Sequence, residues 1–290
     1  MLSINKIQSF VELTRPYNAT AVLLTFFIGY FFFYPFQITF SFIVGAVVLL
    51  LLHSVATVQN DIEDFEIDKL NDSLKPLQSR RITLEEAKKL QYGLIICATI
   101  IALFSSPIHL IFVLLMLSLA WAYNKPPLLL SRKPVSSLVI LGLAYGIIPL
   151  LYGYIVSGRT FQPSFALALA LWFLLRYSIS IMKDYKDAKG DKVFNKRTFY
   201  LTFGRTTTIW LGLLLSIFSY IGILTLSFNI RPLNWFFLIP IAIAFWNILT
   251  RIKLFSTHSE KEANKIFHKA FFGQNQFEAV YLVWLILSPQ

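Results

Sequence analysis

The run FIVGAVVLLLLHSVAT, residues 42–57, holds no acidic or strongly basic side chain, and five acids then follow within the eight residues Asp61–Asp68. An apolar stretch of that length crosses the hydrocarbon core of a bilayer, and comparable runs recur down the chain. A backbone in lipid must satisfy its own polar groups, so these runs are expected to be helices; no β-barrel alternation is visible. Nine spans are read at 17–35, 38–59, 90–106, 108–123, 135–156, 163–182, 206–228, 232–250 and 266–287, the third and fourth sharing a turn at Ser105-Ser106-Pro107. The expected fold is an all-α integral membrane protein. It is a single membrane domain, 1–290, built as a nine-helix bundle around a central cavity that opens to the cytoplasmic face. The first 16 residues read as an amphipathic lead-in. The first apolar run is too long for the core of a signal peptide, so no cleaved leader is expected.

Charge placement orients the bundle. Of 26 Lys and Arg, 22 fall in the N-terminus and in the connections after spans 2, 4, 6 and 8, while Arg159 and Arg231 lie on the other side. Basic loops stay in the cytoplasm, so the N-terminus and the long loops, about 60–89 and 183–205, are placed there. The net charge of +11 therefore points to lipid headgroups or an anionic substrate and not to nucleic acid. Cys97 has no partner for a disulfide, and no histidine stands at metal-site spacing from a Cys or another His. Ionisable candidates for burial inside the spans are few: His53, Arg176, Lys269 and Glu278. Arg176 is expected to reach the cavity, and Lys269 and Glu278 to be ion-pair partners within the bundle.

Eleven of the fifteen acids lie in two loops. In NDIEDFEID the aspartates are 61, 64 and 68; in KDYKDAKGD they are 184, 187 and 191. Spacings of three and four place a triplet within roughly 60° of one helix face. The two triplets end helices four spans apart, which suggests pseudo-equivalent halves facing each other. Three carboxylates on one face repel, and a hard divalent cation is their natural counter-charge. Mg²⁺ is held by few carboxylates, with substrate phosphates completing its shell. Two triplets thus suggest two Mg²⁺ sites flanking one diphosphate. No G-x-x-x-x-G-K-[ST] loop supports a nucleotide-hydrolysing alternative.

Basic residues accompany each triplet. KPLQSRR brings Lys75, Arg80 and Arg81, while FNKRTFYLTFGR brings Lys196, Arg197 and Arg205. YNKPPLLLSRKP carries Tyr123, Lys125, Arg132 and Lys133, and Arg15 opens RPYN at the mouth of the first span. Arginine can grip phosphate oxygens bidentately, whereas lysine acts as a point charge. A diphosphate that needs a greasy helical bundle is one with a greasy tail, such as an allylic isoprenoid diphosphate. Metal and cations would neutralise the departing diphosphate. Exclusion of water would protect the carbocation, and aromatic faces could stabilise it.

At these residues the chain resembles a known family. NDIEDFEID fits the N-D-x-x-D-x-x-x-D motif, and KDYKDAKGD the D-x-x-D-x-x-x-D motif, of the UbiA superfamily of intramembrane prenyltransferases, whose members have nine spans. The resemblance extends through RPYN, KPLQSRRIT, YNKPP and KRTFYLTFG, covering Arg15 to about Arg205. It implies metal binding by Asp61, Asp64, Asp68, Asp184, Asp187 and Asp191. Chemistry would centre on Asp64, Asp68, Asp187, Asp191 and Tyr123. Substrate binding would fall to Arg15, Asn60, Lys75, Arg81, Asn124, Lys125, Arg132, Lys183 and Arg197. Asn124 stands where the family usually has Ser.

The second motif looks like the branch with archaeal digeranylgeranylglyceryl phosphate synthases, homogentisate prenyltransferases and chlorophyll synthases, and EIDKLN leans toward the ether-lipid enzymes. It lacks the G-I-K-S-T continuation of 4-hydroxybenzoate polyprenyltransferases and the H-P-x-K stretch of decaprenyl-phosphate phosphoribosyltransferases. Lys75 replaces the usual Arg before Pro, and SRR replaces SGR. The activity implied is Mg²⁺-dependent transfer of a prenyl group to a lipophilic acceptor, with a glycerol-phosphate ether lipid ahead of a quinone-type aromatic. No obligate protein partner is inferred. Two alternatives stay open: a terpene cyclase of the same fold, which needs no acceptor, and a cation transporter, which would place ionisable groups near the bilayer midplane.

Overall fold

The computed structural model describes residues 4–33, 37–70, 75–185, 188–232, 234–257 and 259–288, with the side chains of 4, 184, 185, 188–190 and 260 excepted. Every long element among them is an α-helix. The N-terminal part comprises α1 (Ile4–Thr14), α2 (Pro16–Phe31), α3 (Phe40–Glu63) and the short α4 (Phe65–Leu70). There follow α5 (Leu84–Leu103), α6 (Pro107–Asn124), α7 (Pro134–Gly142) and α8 (Ile148–Val156), then α9 (Pro163–Ile181) and the short α10 (Ala188–Val193). The chain finishes with α11 (Phe199–Ser227), α12 (Leu238–Ile252) and α13 (Glu260–Leu287).

Local chemistry sets these boundaries. Prolines open α2, α6, α7 and α9, where the missing N–H would have been unpaired in any case. Thr39 caps α3 by accepting from the Phe42 N–H at 3.1 Å. Thr83 and Glu86 form a reciprocal capping box on α5. Gly204 adopts φ 78° inside α11, a left-handed break that glycine tolerates. The apolar rod of α11 thus starts beyond it, near the start expected at 206.

Among the described residues, six helical segments are long and apolar enough to cross a membrane: 40–63, 107–124, 134–156, 163–181, 199–227 and 235–252. Of the other three expected spans, α2 has only 16 residues, and α5 and α13 begin with the charged turns LEEAKK and EKEANK. Helix α3 packs on α2, α5 and α6, and α9 on α7 and α11, so each motif-bearing helix lies against the long helix that follows it. A π turn, Leu143–Ile147, joins α7 to α8: the Ile148 N–H bonds Leu143 O, and Pro149, without an N–H, comes next.

Helices α2 and α8 meet backbone to backbone. A Cβ at Gly29 would lie 2.0 Å from Leu150 O, and one at Gly153 2.0 Å from Phe26 O. Small residues allow this close approach in membranes, where packing replaces the hydrophobic drive between helices. At the end of the bundle away from the acidic motifs, aromatic rings pack on one another: Phe26 on Phe42, and Phe112 on Tyr152 with centroids 4.2 Å apart. Much of the aromatic content therefore fills the core.

One expectation changes here. Glu278 is paired with Arg176, both fully buried, and Arg176 also donates to Ala21 O at 2.7 Å and Asn275 Oδ1 at 3.2 Å. Lys269 is exposed. Nine residues separate it from Glu278, half a turn out of phase on one helix, so the two face opposite ways. Arg176 thus ties α9 to α2 and α13.

Candidate active site

The first motif is not one regular helical face. Asp64 has φ −89° and ψ 12°, ending α3, and the chain restarts as α4. Backbone bonds from Asp64 N to Asn60 O (2.9 Å) and from Asp68 N to Asp64 O (2.8 Å) carry the helical spacing across this kink. The acids therefore stay clustered, each with its own cation. Asp61, 1% exposed, accepts from the Arg15 guanidinium and from Lys75 Nζ, the latter at 3.0 Å. Lys75 also pairs with Asp68, so one ammonium bridges the first and last acids of the motif. Arg15 reaches Asp61 from the junction of α1 and α2, where it holds a left-handed φ of 47°. A non-glycine residue in that region stores strain, which concentrates at functional sites.

The second motif closes onto the first. Lys196 Nζ donates to Asp64 Oδ2 at 3.0 Å and lies 3.6 Å from Asp191 Oδ1. Its main-chain N–H bonds Asp191 O at 2.8 Å. Asn60 Nδ2 donates to the same Asp64 oxygen at 3.0 Å and lies 3.5 Å from Asn124 Oδ1. Lys183 Nζ donates to the Tyr123 hydroxyl at 2.9 Å, and Lys125 pairs with Glu63. Two side-chain networks result, Arg15–Asp61–Lys75–Asp68 and Asn124–Asn60–Asp64–Lys196–Asp191, which meet through the backbone of the first motif, and the Lys183–Tyr123 pair adds a contact between α6 and the chain after α9.

Other expected residues fall elsewhere. Arg81 turns outward, with guanidinium nitrogens 2.5 and 3.0 Å from the Glu12 carboxylate at the surface. Arg132 and Arg197 are exposed. Asp184 lies on the short 3₁₀ turn Met182–Tyr185, but its side chain, like the whole of Asp187, is outside the described residues. Lys196, which the basic-loop pattern did not distinguish from its neighbours, is the residue that joins the motifs. Its signal is the preceding Asn195, whose φ of 51° makes the turn that sends Lys196 inward and Arg197 outward.

Burial raises the Asp68 carboxyl above the ordinary aspartate range, and the Lys75 ammonium draws it part of the way back. Burial works against the Lys196 ammonium too, but Asp64 and Asp191 override it and hold the group above the usual lysine value. Among the described residues, no three acids, histidines or cysteines stand close enough to hold a metal by themselves, because ammonium groups sit between the carboxylates. The donors are hard oxygens throughout, which fits Mg²⁺ and not a soft metal.

Sequence and fold comparisons place the chain among known proteins. Digeranylgeranylglyceryl phosphate synthase of Methanococcus maripaludis is 30% identical over 190 residues, 64% of this chain and 65% of the relative, so the match spans just under two thirds of that relative's length. The enzyme of the same name from Methanocaldococcus jannaschii is 29% identical over 227 residues, 74% of this chain and 77% of the relative. A solved structure of a UbiA homologue from Archaeoglobus fulgidus, bound to GPP and Mg²⁺, superposes with a TM-score of 0.70 at 17% identity, over 96% of this chain and 99% of that one. The fold is therefore shared well beyond the reach of the sequence match. The profile of the UbiA prenyltransferase family matches residues 22–275, a range that takes in both aspartate motifs and most of the helical rods: the chain belongs to the UbiA prenyltransferase family.

Proposed function

We propose that this chain transfers a prenyl group from an allylic isoprenoid diphosphate to a lipophilic acceptor, and that the acceptor is a glycerol-phosphate ether lipid. The observation that carries the reading is Lys196, whose contacts with Asp64 and Asp191 hold the two acidic motifs over one site. The names of the relatives support the acceptor class. Removing one prenyl group from digeranylgeranylglyceryl phosphate leaves geranylgeranylglyceryl phosphate as the acceptor.

On this reading the bundle has nine spans with its N-terminus and active site in the cytoplasm. Asp61, Asp64, Asp68, Asp184, Asp187 and Asp191 hold Mg²⁺ at two positions, and Asn60 orients Asp64. When bound, Mg²⁺ neutralises charge on the departing diphosphate. Arg15, Lys75, Lys183 and Lys196 supply cations for the phosphate oxygens. Tyr123 is held by Lys183, whose ammonium meets its hydroxyl and lies 5.5 Å from its ring centroid, and on this reading it acts at the mouth, next to Asn124. Deeper apolar walls take the prenyl tail and exclude water.

The test is incubation of the purified protein with radiolabelled geranylgeranyl diphosphate, Mg²⁺ and, in parallel, geranylgeranylglyceryl phosphate or a quinone-type aromatic. Formation of the diether is expected. A prenylated aromatic overturns the acceptor, and a cyclic hydrocarbon formed without acceptor overturns transfer in favour of cyclisation. The buried pairing of Arg176 with Glu278 engages the charged groups that a cation transporter would need free inside the membrane.

A further inference from the structure

His53 lies on α3 among apolar neighbours, 3% exposed, and its Nε2 meets no hydrogen-bond partner. A buried polar atom left in this state is uncommon, and an ionisable residue inside a membrane helix is a functional candidate by default. Seven residues separate His53 from Asn60. That is almost two full turns, so His53 lies on the same stripe of α3 about 10 Å deeper than the acidic mouth.

The other ring nitrogen is engaged. The imidazole interacts with the main chain of Arg15, whose N–H is already directed at Glu12 O, 3.2 Å away. A contact with the Arg15 carbonyl falls to Nδ1, which would then be the donor. This tautomer leaves a bare lone pair on Nε2. The left-handed Arg15 thus has two neighbours: its guanidinium holds Asp61, and its main chain lies beside the His53 ring.

The ring packs at 86° against Tyr145, centroids 5.9 Å apart. Tyr145 lies on the π turn, a distortion that recurs at functional sites. The charged and polar groups facing Tyr145 come from four other places in the fold: Arg15, Lys183 and Arg176, all cationic, and the Tyr123 hydroxyl. The carboxylate nearest these groups, Glu278, is held in its ion pair with Arg176, whereas the His53 ring is in no ion pair among the described residues.

We propose that His53 Nε2 is the base that takes the hydroxyl proton of the acceptor, an assignment that rests on the prenyl-transfer reading above. The C1–O bond of the prenyl diphosphate breaks and its electron pair leaves with the diphosphate. The acceptor oxygen bonds to C1 and its proton passes to Nε2, giving an imidazolium that later releases it to solvent. Asp61, Asp64, Asp68 and Asp191 are each tied to a cation at the mouth and are not free to take that proton.

The full-length protein is assayed with geranylgeranyl diphosphate, geranylgeranylglyceryl phosphate and Mg²⁺. His53→Ala is expected to slow ether formation by about 100-fold or more, the range of a lost general base. Its affinity for geranylgeranyl diphosphate should stay within roughly twofold of the parent, and added imidazole should restore part of the rate. His53→Gln, which retains a polar side chain but no base, is expected to remain slow. A His53→Ala or His53→Gln protein forming ether at nearly the parent rate overturns the assignment. So does loss of diphosphate binding in step with rate, or absence of imidazole rescue. A parent that forms no ether sinks the prenyl-transfer reading itself, an outcome separable from all of these.

Discussion

Lys196 Nζ lies 3.0 Å from Asp64 Oδ2, a contact between residues 132 positions apart that joins one acidic motif to the loop after the other. Both side chains are largely buried, so little solvent screening weakens it. Lys196→Met is expected to lower prenyl transfer by about 10- to 100-fold, the equivalent of one charge-assisted hydrogen bond of about 1.5–3 kcal/mol. Arg197→Met, one residue on and exposed, is expected to leave the rate within about twofold of the parent, since surface charges contribute little. Steady-state rates of the two variants side by side check the pair.

Asp64→Ala and Asp187→Ala are each expected to abolish transfer almost completely. Chelation of the parent with EDTA should do the same, and added Mg²⁺ should restore it. Binding of Mn²⁺ followed by electron paramagnetic resonance gives a readout independent of turnover; either alanine variant retaining full activity and full metal stoichiometry would refute the assignment.

Its place in KPLQSRR groups Arg81 with the phosphate-binding cations, yet its guanidinium meets Glu12 at the surface. Arg81→Ala is accordingly expected to preserve KM for the prenyl diphosphate and kcat. Any loss of stability should be no more than about 1 kcal/mol, as for other exposed pairs. A several-fold rise in KM would return Arg81 to the site.

Gly153 is where α8 meets the backbone of α2. Gly153→Ala would place a Cβ 2.0 Å from Phe26 O, and the helices would have to separate. A loss of about 1–3 kcal/mol follows from overpacking. Thermal unfolding in detergent micelles measures it, and Gly93→Ala, where a Cβ meets nothing within 4 Å, serves as the neutral control.

The Arg176–Glu278 pair predicts non-additive mutations. Glu278→Ala alone leaves a buried guanidinium uncompensated and is expected to cost about 3–5 kcal/mol. The double change to Arg176→Met and Glu278→Met should recover much of that loss. Additive single effects in a thermal double-mutant cycle would show that the two groups do not act as a unit.

Membrane class, helical content and the existence of two related acidic motifs could be read from the chain, because each depends on local pattern. Apolar runs specify helices in lipid whatever their neighbours, and the spacing of aspartates 61, 64 and 68 survives the kink at Asp64. Basic residues were harder. Lys196 and Arg197 are adjacent and alike in charge, and only the left-handed turn at Asn195 separates the one that enters the site from the one that faces outward. Lys269 and Glu278 shared a span and opposite charges, but their phase on α13 sets them on opposite faces, and Arg176 from a distant helix took the carboxylate.

What the sequence by itself determined is the chemistry on hand: oxygen donors at helical spacing, cations beside them and enough apolar surface to dissolve a prenyl chain. Tertiary structure alone decided which cation meets which carboxylate, that Arg15 lies beside both Asp61 and His53, and that one buried imidazole keeps a free nitrogen below the mouth. Local patterns arise from neighbours along the chain, whereas a charge pair formed across the bundle depends on how several helices are rotated about their axes, and no single segment encodes that.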